Sequence, residues 1–391
     1  MKYLVLIGDG MSDWPLTQLG GKTPLEAAKT PNLDFLTQNG VCGWTNNIPK
    51  GMEPGSDVAA VSIFGYDPKK YYTGRGPLEA ASLGVKLAKN DIAFRCNLVT
   101  VKGGKMESFT AHHIATAEAQ QLIAKLNKEI GEKGIKFYPG LSYRHLIVIN
   151  NSLVGENIKC FPPHDITGQP IGKYLPKGKG AETLLRLMNE SEVILHGEKS
   201  SATMIWPWGQ GHMPSIPSFK QQYKKRAAVI TAVHLLKGLG KILGMKVINV
   251  PGATGYLDTN YAGKAEYALK ALKQNDVVFV HVEAPDEAGH EGSVEKKIRA
   301  IEDFDKFVVG SILQKMRLQS STFKILVLPD HPTPIKIKTH SAEAVPFVVY
   351  PSRTTSYELR ITGFNENQIK KSKIQIKNGS RLMGEFLGGE L

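Results

Sequence analysis

Cysteine is scarce in this chain of 391 residues: Cys42, Cys96 and Cys160 stand far apart, odd in number and without a CxxC pair. That scarcity argues against a disulfide framework and a thiolate zinc site, and the simplest setting is a reducing, cytoplasmic one. Long apolar runs are also missing. None approaches the roughly 20 residues needed to span a bilayer, so no membrane partner is expected. The apolar run from Tyr3 to Ile7 is short and soon meets Asp9, unlike a signal peptide. Acidic residues number 36 against 49 basic ones, a formal charge of +13. The excess is scattered, with neither a long basic block nor a nucleic-acid motif, so nucleic acid is not an expected partner. A dispersed positive field suits a small anionic substrate such as a phosphate ester.

What is present is the composition of a globular protein, 41% hydrophobic and 22% charged, long enough for two domains. Apolar, β-branched runs at 3–7, 246–250, 277–283, 323–328 and 345–350 read as buried strands, alternating with helical patterns at 227–239 and 293–316. Such alternation predicts an α/β fold with a parallel sheet, whose ligand sites lie beyond the carboxyl ends of the strands. Between these regions the character changes: strands at 92–100 and 144–149 and helices at 116–130 and 177–190 suggest an inserted second α/β domain. Its polar candidates include Arg75, Arg95, His112, His113, Arg144 and His164.

The residues just past the strand ends form a pattern. Asp9 follows the first run, Asp286 and His290 follow the run at 277–283, and Asp330 and His331 follow the run at 323–328, with His340 in the next loop. Asp286 and His290 fall on one face if their segment is helical. Mixed carboxylate and imidazole ligation suits zinc or manganese better than calcium, and the set divides naturally into two metal sites. Paired divalent ions can clamp both oxygens of an in-line displacement at phosphorus. Ser56 closes the Gly/Pro-rich loop 49–57 where a helix N-cap belongs. It either caps the helix or serves as a nucleophile beside the metals.

The chain resembles the cofactor-independent phosphoglycerate mutases of the short, archaeal type, in the alkaline phosphatase superfamily. The resemblance is carried by Gly-Asp-Gly at 8–10, Lys-Thr-Pro-Leu-Glu-Ala-Ala at 22–28, Pro-Gly-Ser-Asp-Val-Ala at 54–59 and Tyr-Tyr-Thr-Gly-Arg-Gly-Pro-Leu-Glu-Ala at 71–80. It continues through Ala-Phe-Arg-Cys-Asn-Leu-Val-Thr at 93–100, Trp-Gly-Gln-Gly at 208–211, Pro-Gly-Ala-Thr-Gly at 251–255, Asp-His at 330–331 and Thr-His-Ser at 339–341.

The resemblance implies a doubly wound, mostly parallel sheet of the alkaline phosphatase kind, over 1–72 and 238–391, with a smaller α/β domain inserted at 73–237. It implies two divalent ions, Mn²⁺ first and Zn²⁺, Mg²⁺ or Co²⁺ as alternatives, and no 2,3-bisphosphoglycerate. Asp9, Ser56, Asp330 and His331 would hold one ion; Asp286, His290 and His340 would hold the other. Ser56 would carry the phosphoryl group between the hydroxyls of 3- and 2-phosphoglycerate, and His113 would handle the hydroxyl proton. Arg75, Arg95, Arg144 and Lys264 would bind the substrate's anionic groups. One departure is the segment Met106-Glu-Ser-Phe-Thr-Ala-His-His-Ile-Ala, where glycolytic archaeal members carry an arginine-rich stretch. It leaves a homoserine-kinase-like phosphotransferase, or a metallophosphatase, as the alternative. The sequence sets no oligomeric state.

Overall fold

A computed structural model describes residues 1–155, 157–318, 322–351 and 361–391. The chain divides into two compact units, Met1–Tyr72 with Ile216–Leu391, and Thr73–Ser215.

The first unit is built on an eight-stranded sheet. Its order is Gln375–Ile376, Val41–Thr45, Val345–Tyr350, Phe323–Leu328, Lys2–Gly8, Val277–Val282, Ala227–Ile230 and Lys246–Ile248. The strands from Phe323–Leu328 to Lys246–Ile248 run parallel. Val345–Tyr350 is antiparallel to both its neighbours. Every residue of Val277–Val282 is buried, as are Tyr3 to Gly8, which is why these strands read as unbroken apolar runs: helices cover both faces of a parallel sheet.

The predicted helix at 227–239 is corrected at its start. Ala227–Ile230 is a strand, and the helix begins at His234 and ends at Ile242. Ala-Ala-Val-Ile has no polar face to mark a boundary, so its apolar spacing runs on into the helix. The edge of Val277–Val282 pairs with it, opposite Val277 to Val280, and β-branched Val229 and Ile230 suit that pairing. The chain therefore rejoins the first unit at Ile216 rather than at 238.

The long helix expected near 293–316 runs from Val294 to Arg317 through a π-helical segment, Phe304–Gly310. This widened turn carries buried Asp305, whose carboxylate accepts the N–H groups of Asn32 (3.3 Å) and Leu33 (2.7 Å). Asp305 thus caps the helix Pro31–Gln38 from a distant element, while Thr30 makes no side-chain cap bond there.

The second unit centres on Asp91–Lys102, which pairs antiparallel with Lys105–Ser108, Arg144–Asn150 and Met204–Gly211; Ile135–Leu141 extends the sheet. Side chains alternate along the central strand. Ile92, Phe94, Cys96 and Leu98 enter the core shared with Leu122, Ile123 and Leu126 of the helix Thr116–Glu129 and Leu184 and Leu187 of the helix Ala181–His196. Ala93 faces the other way and packs with Ala80 of the helix Arg75–Leu83. Among the described residues no helix is long and apolar enough to cross a membrane.

Candidate functional site

Register brings the site together. Ile7 lies opposite both His281 and Leu328, and Gly8 opposite Val282. Three adjacent parallel strands therefore end level, and the residues that follow converge. Asp286 and His290 share a face of the helix Ala284–Glu291, with His290 Nε2 3.1 Å from Asp286 Oδ2. Gly10 makes the convergence possible. It has a φ of 59°, and a Cβ there would sit 2.5 Å from both Asp286 Oδ1 and Thr333 Oγ1. Its N–H donates to Asp330 Oδ1 at 3.0 Å.

Asp286, His290 and His340 make one group. His340 Nε2 lies 3.6 Å from Asp286 Oδ1 and 3.1 Å from His290 Nε2. His290 Nδ1 is 3.0 Å from the carbonyl of Lys338, an acceptor that places a proton on Nδ1 and leaves Nε2 facing Asp286 and His340. Asp9, Asp330 and His331 make the second group, with His331 Nε2 3.6 Å from Asp9 Oδ1 and 3.3 Å from Asp330 Oδ2. The His331 and His340 rings, 4.3 Å apart at their centroids, bring the groups side by side.

Ser56 belongs to the second group and not to a cap. Gly55 occupies the N-cap position of the helix Ser56–Ile63, which has no side-chain cap bond. Ser56 Oγ turns instead toward Asp9, 3.4 Å from each carboxylate oxygen, and lies 3.2 Å from His331 Nε2.

The charges favour a divalent cation. Burial pushes the Asp9 carboxyl well above the usual range, and the negative charges of Asp330 and Asp286 add to the shift. Burial acts on Asp286 in the same direction, but hydrogen bonds from His290 and His340 outweigh it and hold Asp286 well below the ordinary value. Asp330 Oδ2 and His281 Nε2 are buried without a hydrogen-bond partner. Clustered buried carboxylates and unpartnered buried polar atoms are costly unless a cation joins them. The donor set, carboxylate oxygen with imidazole nitrogen, fits Zn²⁺ or Mn²⁺.

A layer of polar groups that sequence reasoning missed supports this site. The Thr333 hydroxyl donates to Asp286 Oδ1 and lies 3.3 Å from His331 Nδ1. Lys297, fully buried, donates to Asp13 Oδ2 (2.8 Å) and to the carbonyls of Thr333 (2.8 Å) and Ser12 (3.2 Å). It thereby ties the loop after Asp9 to the loop after Asp330. His281 and Glu283 stand two apart along the sheet edge, and a polar pair at that spacing in an apolar strand was the available signal. Nothing in the sequence marks Lys297, whose helix looks solvated.

Lys264, expected at the substrate, is buried to 0% exposure. Its ammonium donates to the His281 carbonyl at 2.9 Å and lies 3.8 Å from Glu283 Oε2. Its place is behind the metal-ligand candidates, as a counter-charge to Glu283.

In the second unit, Arg75, Arg95 and Arg144 share one electrostatic neighbourhood. Burial pushes the Arg95 guanidinium below its usual pKa; Glu79, 3.4 Å from Nε, opposes this, and the positive charges of Arg75 and Arg144 reinforce it. Arg95 and Arg75 lie over the Trp208 ring at 4.7 and 5.4 Å, and Arg144 lies over Tyr143 at 4.7 Å. His113 ends an unusual turn: Ala111, His112 and His113 all have positive φ, 46°, 54° and 58°. Left-handed backbone costs a residue with a side chain about 1–2 kcal/mol. Ser108 Oγ and Thr110 Oγ1 hold the turn by accepting the N–H groups of His112 (2.9 Å) and His113 (3.1 Å), leaving both rings exposed.

A family model described as 2,3-bisphosphoglycerate-independent phosphoglycerate mutase matches residues 37–200. A protein of that name from Methanosarcina acetivorans is 51% identical, across 98% of this chain and 99% of its own length. One from Geobacter sulfurreducens, named as a probable member, is 48% identical across 99% of this chain and all of its own length. A solved Pyrococcus horikoshii structure superposes with a TM-score of 0.82 at 29% identity, covering 99% of this chain and 96% of that one. The cofactor-independent phosphoglycerate mutase of Thermoplasma acidophilum shares the fold, with a TM-score of 0.64 at 24% identity and full coverage of both chains. On these likenesses, the chain belongs to the family of 2,3-bisphosphoglycerate-independent phosphoglycerate mutases.

Proposed function

We propose that this chain interconverts 3-phosphoglycerate and 2-phosphoglycerate by metal-dependent phosphoryl transfer through Ser56. The observation that carries the reading is the Ser56 hydroxyl, free of capping, 3.2 Å from His331 Nε2 and 3.4 Å from both Asp9 oxygens. Asp9, Asp330, His331 and Ser56 would hold one divalent ion, and Asp286, His290 and His340 the other, with Mn²⁺ the first choice. Ions bound there would lower the pKa of the serine hydroxyl and offset charge on the phosphoryl oxygens.

Ser56 gives up its hydroxyl proton and Oγ attacks phosphorus in line, the bond to the substrate's 3-oxygen breaks, and that oxygen takes a proton. The 2-hydroxyl then gives up its proton and attacks the phosphoserine, the P–Oγ bond breaks, and Ser56 Oγ regains its proton. Backbone N–H groups at the start of Ser56–Ile63 favour the anionic phosphoryl group. His113 is the proton-handling group, and the strained turn that presents it is the kind of feature that active sites retain. Arg75, Arg95 and Arg144 receive the carboxylate and phosphate, for which the guanidinium fork is suited. The wide spacing of Cys42, Cys96 and Cys160 supports a reducing, cytoplasmic setting.

The test is conversion of 3-phosphoglycerate followed through enolase, with Mn²⁺ and then with chelator. Turnover that chelator abolishes and Mn²⁺ restores is expected. No turnover from folded, metal-loaded protein, together with ATP-dependent phosphorylation of homoserine, would replace this reading with the kinase alternative.

A further inference from the structure

We propose that His281 is a ligand of the metal ion held by Asp9 and Asp330, adding a second imidazole to the site that His331 serves. This rests on the metal-dependent reading above and adds a residue to it.

His281 sits near the end of a central strand that is otherwise apolar, with 1% of its surface exposed. An imidazole there loses its hydration and needs partners on both nitrogens. Nδ1 has one in the Thr231 hydroxyl, 3.3 Å away, while Glu283 Oε2 stands 4.0 Å off, too far for a hydrogen bond. Nε2 has none. It points at Asp9 Oδ2 across 3.2 Å without making a hydrogen bond. Asp330 Oδ2, past the end of the strand two places away, is equally buried and also makes no hydrogen bond. Ligand atoms of Asp9, His281 and Asp330 lie within 4.8 Å of one another.

One cation between the three satisfies all of them. The backing fits as well. Metal-bound histidines characteristically have the far nitrogen held by a carboxylate, carbonyl or hydroxyl, which sets the tautomer. Here the Thr231 hydroxyl takes that part, with the Glu283 carboxylate 4.0 Å away as the nearby charge. Lys264 balances the Glu283 charge from 3.8 Å and, through its bond to the His281 carbonyl, holds the end of the strand.

The experiment titrates metal-free wild type, His281→Gln and Glu283→Gln with Co²⁺, following stoichiometry and the visible d–d bands. We expect wild type to take up two ions. His281→Gln should bind one of them about 100-fold more weakly with an altered band pattern, and Glu283→Gln should weaken the same ion about 10-fold. His281→Gln that titrates and absorbs like wild type overturns the proposal. Wild type that takes up no metal overturns the metal-dependent reading itself, a different result. Should His281→Gln not fold, a crystal of Zn²⁺-loaded wild type decides the matter. An Nε2–metal distance of about 2.0–2.1 Å upholds the assignment, and one beyond about 3 Å ends it.

Discussion

The two units gather opposite charges by different means. In the first, parallel strands end level, and Asp9, Asp286 and Asp330 converge at one edge of the sheet, buried and backed by histidines. In the second, an antiparallel sheet supports Arg75, Arg95 and Arg144 on aromatic rings, with Arg144 open to solvent. A parallel sheet aligns its chain ends, so its polar residues meet in loops. An antiparallel sheet offers side chains across a face and along its strands. The first arrangement concentrates buried negative charge at the strand ends; the second spreads positive charge along a face, with Arg95 buried beside Glu79 and Arg144 exposed.

That division is open to challenge. Removing the nucleophile should have the largest effect. Ser56→Ala should lower kcat by about 10⁴-fold or more, as loss of a covalent nucleophile does elsewhere, while metal stoichiometry is unchanged. Retained turnover in the enolase-coupled assay would take the chemistry away from the first unit.

Lys297→Met should come next. It leaves Asp13 buried without its cation, at a cost of about 3–5 kcal/mol, and it loosens the loops bearing Asp9 and Asp330. Calorimetry should show the loss of stability, and weaker metal binding should accompany it. A variant as stable as wild type would mean that the buried pair does not hold the loops.

Arg144→Gln probes the other unit. Loss of a charged hydrogen bond to substrate should raise KM by about 10- to 100-fold, with metal stoichiometry and melting temperature unchanged. If metal binding changed instead, the separation of roles would be wrong.

The smallest effect concerns a histidine without a site. His145 is buried in the second unit, where Nδ1 accepts the Gly140 N–H at 3.0 Å, and burial pushes its pKa down to about 4. A depressed histidine contributes stability that is complete above its unfolded pKa, near 6.5, and is lost as pH falls from there toward about 4. At pH 5 the loss should be about 2 kcal/mol. Denaturant unfolding of wild type and His145→Gln from pH 5 to 8 should show a steeper slope in wild type than in the variant.

Much of this was legible in the residues. Asp9, Asp286 and Asp330 were visible because each follows an apolar run that could only be a buried strand. His290 was visible through its four-residue spacing from Asp286. Ala227–Ile230 was misread because a short apolar segment carries no period of its own. Its strand state comes from an edge supplied by Val277–Val282, about 50 residues later. Ser56 stood in the right loop with its role undecided, and the side chain's direction toward Asp9 and His331 decided against the cap. Lys264 was placed at the substrate on the family resemblance alone. Its burial against His281 and Glu283 could not be inferred from its neighbours in sequence.

The sequence by itself determined which strands are buried, which residues follow them and what donor chemistry those residues offer, because burial and chain turning are written in local patterns. Tertiary structure alone decided the rest: that three strand ends are level, that Lys297 lies beneath two loops, that Asp305 caps a helix far from it in the chain, and that His281 turns a buried nitrogen toward Asp9. Those facts depend on register and on the direction of side chains between elements distant in sequence, and no local pattern encodes either.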